Sequence, residues 1–162
     1  MKLFLLLEND KEQEYKNYIE EHINNTKKAW QQVQNKLKGE YEISDELKKK
    51  INTLIENHDK SKYSKEEFEG YRQFFFPETG KEKNKEEFNK SWKHHYTINK
   101  HHWQHWVGKK MPLEYIIEQL CDWKAMSMKF GDTPQSYYNK EKARIDFTPE
   151  TRKEVEKWLK IF

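Results

Sequence analysis

The residues best suited to chemistry are histidines and carboxylates, and the most informative of them are the adjacent His58 and Asp59. This pair closes an apolar stripe with helical spacing, made of Leu47, Ile51, Leu54 and Ile55. An imidazole and a carboxylate held side by side are good ligands for a divalent metal. A His-Asp dipeptide also marks ordinary helix ends. The hypothesis of a site therefore depends on other polar residues predicted on apolar helix faces, namely His22, His95, His102 and Asp122.

The richest segment is predicted to be one helix over residues 86–106. One of its faces is aromatic at both ends and polar in the middle, and carries Phe88, Trp92, His95, Asn99, His102 and Trp106. A polar centre in an apolar stripe is costly unless its groups bind partners, water or metal, so a buried hydrogen-bond network is the alternative. On such a helix His95 and His102 would lie about 10 Å apart, which suits two ions, or one ion and a substrate. His94 and His101 would point to a neighbouring face and rank lower as ligands.

Two other positions could contribute to the same chemistry. Glu118 and Asp122 form a carboxylate pair one helical turn apart, and such like charges repel unless a cation lies between them or one is solvated. His22 lies between Ile19 and Ile23 on an apolar face. An inward histidine of this kind is more often a hydrogen-bonded core residue than a ligand.

The elements that must position these residues are all predicted to be helices. The predicted helices cover about 11–37, 45–58, a segment after a capping box at 64–67, 86–106, 112–129 and a last segment from Thr148 and Pro149. Strand signals are negligible, so the fold class is an all-α array of five or six helices. The polar stretch 78–85 is predicted to be a surface loop within a single domain spanning 1–162.

Composition limits the class of protein. Charged residues make up 36% of the chain, with 31 basic against 28 acidic side chains and a net charge of +3, so charge gives no argument for nucleic acid binding. The single cysteine, Cys121, excludes an internal disulfide and is read as an apolar filler in a reducing compartment. The apolar run at 1–7 is too short for a signal peptide, and no segment reaches the roughly 18 apolar residues of a membrane helix. A soluble protein is expected, in the cytoplasm of a bacterium or an infected host cell.

Over nearly the whole chain, the sequence looks like a small uncharacterised family of bacteria and phages, known as a domain of unknown function. The matching pieces are His58-Asp59-x-Ser61-Lys62, Phe88-x3-Trp92, His95-x5-His101-His102-Trp103-x2-Trp106, Met111-Pro112, Glu118-x3-Asp122-Trp123, Tyr138 and Pro149-Glu150-Thr151-Arg152. The order of a histidine, a His-Asp pair, further histidines and an aspartate also resembles the HD-domain superfamily of metal-dependent phosphohydrolases.

The HD resemblance implies roles for individual residues. The implied ligands of a first metal are His22, His58, Asp59 and Asp122. Asp59 would bridge to a second metal bound by His95 and either His101 or His102, and Lys62 would contact a substrate phosphate. The sequence departs from the HD pattern at His95 and His102, because HD proteins take these histidines from separate helices.

The resulting hypothesis is a metal-dependent phosphohydrolase acting on a nucleotide or another small phosphate ester. Mixed histidine and carboxylate ligands favour one or two ions of Fe, Mn, Co or Zn. Glu118 would orient a ligand histidine or act as a base, and Asn99 and His101 are assigned to substrate binding.

Two alternatives stay open. The same ligands would support an HD-type di-iron oxygenase. A non-enzymatic module for single-stranded nucleic acid would use the six tryptophans and the basic side chains. That module is disfavoured because the aromatic residues have core spacing and the basic residues alternate with acidic ones.

Overall fold

The computed structural model describes residues 2–162, with side chains from residue 10 onward. The seven α-helices of this part are α1 Lys2–Gln34, α2 Asp45–Asn57, α3 Phe68–Phe75, α4 Lys85–Ile98, α5 Leu113–Phe130, α6 Pro134–Glu141 and α7 Pro149–Trp158. Short 3-10 helices lie at Gly39–Tyr41, Lys60–Tyr63, Trp103–Trp106 and Leu159–Ile161. The described residues form no strand, so the predicted all-α class is confirmed. The side chains of the apolar run at 1–7 lie outside the described part.

The chain divides into two compact units. Unit 1 contains the chain up to Glu21 together with Asp59–Ile98, and unit 2 contains His22–His58 together with Asn99–Phe162. The boundaries therefore fall within α1, between the adjacent residues His58 and Asp59, and directly after α4 at Ile98. The single domain predicted over 1–162 stays a prediction.

Unit 1 is organised by aromatic side chains. The Tyr15 ring of α1 packs against Phe68 at 5.0 Å and Phe76 at 5.8 Å between ring centroids. Tyr71 of α3 meets Phe88 of α4 edge to face at 5.5 Å. These contacts supply the apolar burial that the low aliphatic content of the chain does not. The polar stretch 78–85 between α3 and α4 is largely exposed, as the loop prediction requires.

Unit 2 has the larger aliphatic core, and α5 contributes most to it. Its buried side chains include Trp30, Val33, Ile51, Ile55, Ile116, Ile117, Leu120, Cys121, Val155 and Trp158. The burial of Cys121 agrees with its reading as a filler. Ser44 caps α2 by accepting a hydrogen bond from the Leu47 amide, and Thr148 caps α7 in the same way from Thr151. The sequence offers Ser44 or Asp45 as the cap of α2 and Thr148 as the cap of α7, and the structure uses Ser44 and Thr148.

The predicted helix over 86–106 is wrong in its second half. α4 ends at Ile98, and the chain continues through a turn in which the His102 amide donates to the Asn99 carbonyl. The Trp106 indole then donates to the Lys100 carbonyl at 2.6 Å, which stabilises the separate 3-10 helix. His95 and His102 consequently do not share a helix face, and the 10 Å spacing inferred for them does not apply.

Two smaller predictions also fail. Ser64 does not cap α3, because its carbonyl accepts from the Glu67 and Phe68 amides in a turn and the helix begins at Phe68. Residues 134–141, which carry no clear apolar period, form α6 behind an N-cap at Thr133. The described part therefore contains seven helices rather than five or six.

Gly70 permits the close approach of α3 and α4 in unit 1. A Cβ atom at this position would lie 2.7 Å from the Glu87 carbonyl oxygen and closer still to Ser91 Oγ. Because a backbone carbonyl cannot yield without moving α4, we expect Gly70→Ala to lower the free energy of unfolding by about 1–2 kcal/mol despite its better helix propensity. Urea denaturation would measure the change. Glu86→Ala on the exposed side of α4 is the control, and equal stability of the two variants would contradict the prediction.

Candidate metal centre

Unit 2 buries three histidines and two carboxylates together. His22 comes from α1, His58 directly follows α2, and His101 lies in the turn that precedes the Trp103–Trp106 3-10 helix. Glu118 and Asp122 are one turn apart on the same face of α5. The side chains of His58 and His101 are 0% and 1% exposed, and that of Asp122 is 14% exposed. Such groups are costly to bury unless they pair with each other or with an ion.

The ligand atoms of His22, His58 and Asp122 are close enough to share one cation. His22 Nε2 lies 3.0 Å from Asp122 Oδ1. His58 Nε2 lies 3.3 Å from His22 Nε2 and 3.9 Å from Asp122 Oδ1. Adjacent ligands of a transition metal with bonds of about 2.0–2.2 Å are separated by about 3.0–3.5 Å. These three residues could therefore hold a metal ion.

Glu118 orients two of the imidazoles through their Nδ1 atoms. Its Oε1 atom lies 3.0 Å from His58 Nδ1 and 3.2 Å from His101 Nδ1. When each Nδ1–H donates to this carboxylate, both Nε2 atoms are presented toward Asp122. A carboxylate behind a histidine is the usual support of a metal-bound imidazole. Glu118, His58 and His101 could also hold an ion between themselves, but only by giving up these hydrogen bonds.

The imidazoles keep both carboxylates ionised. Burial raises the pKa of Glu118, but the charges and hydrogen bonds of His101 and His58 outweigh it and lower the pKa to about 2. Burial also opposes ionisation of Asp122, yet its hydrogen bond with His22 and the neighbouring imidazoles hold its pKa well below the usual range. At neutral pH the cluster therefore offers two negative charges to a cation.

Unit 1 contains a second buried cluster, built around Asp59. Asp59 has a left-handed backbone conformation with φ of 55°, which aspartate tolerates better than most residues. Lys62 Nζ lies 2.7 Å from its Oδ2 atom, and His95 Nε2 lies 3.2 Å from its Oδ1 atom. The other nitrogen of His95, Nδ1, lies 2.7 Å from Glu67 Oε2. One imidazole therefore lies between two buried carboxylates.

These carboxylates decide the electrostatics of unit 1. Burial disfavours the charged form of His95, but Asp59 and Glu67 outweigh it and raise the pKa of the imidazole. Burial likewise raises the pKa of Glu67, and the hydrogen bonds and charge of His95, with the hydrogen bonds of His94 and Ser61, bring it below its usual value. Without a metal the cluster is a charged hydrogen-bond network.

The predicted site residues thus fall into two groups. His22, His58, Asp122 and Glu118 are together in unit 2, where His101 joins them. Asp59, Lys62 and His95 are together in unit 1. The convergence of Asp59 with the ligands of unit 2, and its sharing between two ions, stay predictions. So do the roles of Asn99 and His102, both partly buried in unit 2.

The surroundings of His101 and Glu67 differ from those predicted from the sequence. His101 ranked below His102 because both were placed on one continuous helix, and α4 ends before either of them. Glu67 was assigned to a capping box, although it is fully buried and contacts two histidines. Its position four residues before Tyr71, on the apolar side of α3, is the signal that could have identified it as buried.

Fold and site together define an all-helical protein with buried histidine and carboxylate groups that could hold a metal ion. The profile of a family described as "Family of unknown function (DUF5662)" matches residues 11–161, so the chain belongs to that family. This result confirms the resemblance to a domain of unknown function. No curated protein and no solved structure matches the chain. In the described part of the chain, no helix is both long and apolar enough to cross a membrane.

The lowered pKa of Glu118 makes a prediction about acid stability. Because the folded pKa of about 2 lies below the ordinary value of 4.5, the stabilisation is complete above pH 4.5 and is lost as the pH falls toward 2. A shift of this size is on the order of 3 kcal/mol of unfolding free energy. Urea denaturation between pH 7 and pH 2.5 would measure it. Glu118→Gln should flatten the curve across this interval, whereas a curve with the same slope in both proteins would contradict the assignment.

Proposed function

We propose that this protein is a metal-dependent phosphohydrolase acting on a nucleotide or another small phosphate ester. The observation that carries the proposal is the pair of facing Nε2 atoms of His22 and His58, 3.3 Å apart beside Asp122. Two imidazole nitrogens at this distance can share only one proton between them. A cation held by these three residues would take the place of that shared proton and form one coordinate bond to each residue. The HD resemblance of the sequence supplies the reaction class.

The residues of unit 2 would have different roles in binding a cation. His22, His58 and Asp122 would bind it, and Glu118 keeps His58 in the orientation that presents Nε2. A bound divalent metal would lower the pKa of a coordinated water and polarise a phosphoryl oxygen. Iron, manganese, cobalt and zinc all accept such ligands.

Lys62 is the proposed contact for a substrate phosphate. Its ammonium group is paired with the Asp59 carboxylate at 2.7 Å and its side chain is only 15% exposed. A lysine held in this way is already partly desolvated and oriented, which strengthens its interaction with an anionic oxygen. The role differs from that of a metal ligand, and substitutions can separate the two.

The first prediction of this proposal concerns metal binding in unit 2. Protein purified without chelator should contain a transition metal, and added Mn²⁺, Fe²⁺ or Zn²⁺ should raise the melting temperature of the metal-free form. Ligand at 100 times its Kd stabilises a fold by about 2.7 kcal/mol. His22→Ala and Asp122→Ala should abolish both the metal content and the thermal shift, because each removes a ligand. Elemental analysis and calorimetry are the measurements.

His105→Ala is the matched control, because it removes an imidazole of unit 2 that takes no part in this cluster. It should leave the metal content and the thermal shift intact. A native protein that holds no metal and melts at one temperature with every ion would contradict the metal proposal.

The second prediction separates ligands from a substrate contact. Metal-loaded protein should release phosphate from at least one member of a panel of nucleoside mono- and triphosphates, cyclic nucleotides and an aryl phosphate. His58→Ala and Asp122→Ala should lose metal and turnover together, because both residues are proposed ligands. Lys62→Ala should keep its metal and lose about 10²-fold in kcat, by analogy with other oxyanion contacts.

Lys60→Ala is the control for Lys62, because Lys60 is exposed on the same 3-10 helix. A Lys62→Ala protein without metal, or an Asp122→Ala protein with full activity, would contradict the assigned roles. Iron content combined with an oxygen-dependent optical change, and no phosphate release, would replace the hydrolase proposal with the oxygenase alternative.

A further inference from the structure

We infer that Glu67 is a positioning residue that holds the His95 ring through Nδ1–H and so presents His95 Nε2 to Asp59. The contacts are short at both ends of the ring, with 2.7 Å from Nδ1 to Glu67 Oε2 and 3.2 Å from Nε2 to Asp59 Oδ1. All three side chains are buried in unit 1. The ring therefore cannot turn over without breaking a charge-assisted hydrogen bond to Glu67 and an ion pair with Asp59.

Glu67 is itself held in place by more donors than a simple ion pair needs. Its Oε2 atom accepts from His95 and from the Ser61 hydroxyl at 3.0 Å, and its Oε1 atom lies 2.8 Å from His94 Nδ1. The two oxygens thus have partners on both sides, which fixes the plane of the carboxylate. A carboxylate with 0% exposure depends on these donors, because water cannot replace them.

Unit 2 repeats the arrangement with other residues. There Glu118 accepts from Nδ1 of His58 and His101, and the Nε2 atoms of both rings approach Asp122. Each unit therefore combines a buried glutamate at Nδ1 with an aspartate at Nε2. One such contact has a purely structural explanation, but the same polarity in both units indicates that Nε2 is the atom being presented.

The hydrogen bond can be tested without any metal. In ¹⁵N-labelled full-length protein, the proton on His95 Nδ1 should give a downfield signal that exchanges slowly with water, assigned by its loss in His95→Ala. Glu67→Gln should shift this signal upfield and speed its exchange by at least tenfold. Glu66→Gln makes the same chemical change at the exposed neighbouring residue and should leave the signal unchanged. An unchanged signal in Glu67→Gln would overturn the inference.

A second variant keeps the test decisive if Glu67→Gln does not fold. His94→Ala removes one donor to Glu67 and leaves Glu67, Ser61 and His95 in place. It should speed exchange of the His95 Nδ1 proton measurably while Glu66→Gln does not. Identical exchange in His94→Ala and the native protein would overturn the inference.

The consequence for a cation rests on the proposed function and has its own readout. Zn²⁺ is titrated while the ¹⁵N signal of His95 Nε2 is followed, and the midpoint should rise 10- to 100-fold in Glu67→Gln, as for other residues that support a metal ligand. Glu66→Gln should titrate like the native protein. An unchanged midpoint in Glu67→Gln overturns the positioning role toward the ion. If the native His95 signal does not respond to Zn²⁺, His95 is not a ligand, the metal proposal for unit 2 is decided by its own elemental analysis, and the proton measurement alone decides the role of Glu67.

Discussion

The burial of carboxylates against imidazoles is the constraint on which both units depend. A buried carboxylate without partners is strongly destabilising, so Glu118 and Asp122 require the histidines that surround them. Three of these partners come from distant parts of the chain: His22 from α1, His58 from the end of α2, and His101 from the turn after α4. The ionic cluster therefore joins four separate segments of unit 2.

The adjacent residues His58 and Asp59 lie at one turn of the chain but belong to different units. His58 ends α2, and Asp59 then takes a left-handed conformation that turns the chain into the Lys60–Tyr63 3-10 helix. Lys62 follows Asp59 by three residues, and the 3-10 helix brings its ammonium group back to the Asp59 carboxylate, which it neutralises. Adjacent residues thus belong to different units, with His58 bound to Glu118 and Asp59 bound to His95. Lys62 is a counter-ion in this structure, and its proposed role toward phosphate requires it to serve two anions.

The pieces of the sequence that carry the family resemblance divide into site and scaffold. Thr151 accepts a hydrogen bond from the Met111 amide at 2.9 Å, which ties the start of α5 to α7. Arg152 donates to Tyr138 Oη at 3.0 Å and to the Ile145 carbonyl at 2.9 Å, which connects α6 and α7. These residues connect α5, α6 and α7. Membership of a family of unknown function therefore does not make every shared motif a functional one.

The sequence by itself determined the helices with strong local signals and the polarity of their buried faces. Ser44 and Thr148 as caps, the apolar period of α2, and inward positions for His22 and His58 all follow from contacts within a few residues. Such contacts are encoded locally, so pattern reasoning finds them.

Only the tertiary structure decided where α4 ends, which histidine of the pair His101 and His102 meets Glu118, and what Glu67 contacts. The periodicity of 86–106 continues past Ile98, but hydrogen bonds of a different spacing replace the helix there, such as the one from the Trp106 indole to the Lys100 carbonyl. His101 is buried because Glu118, seventeen residues later, accepts its Nδ1 proton. Glu67 is buried because His94 and His95 reach it from another helix. The positions of His101 and Glu67 depend on the free energy of pairing distant charges, which no local spacing records.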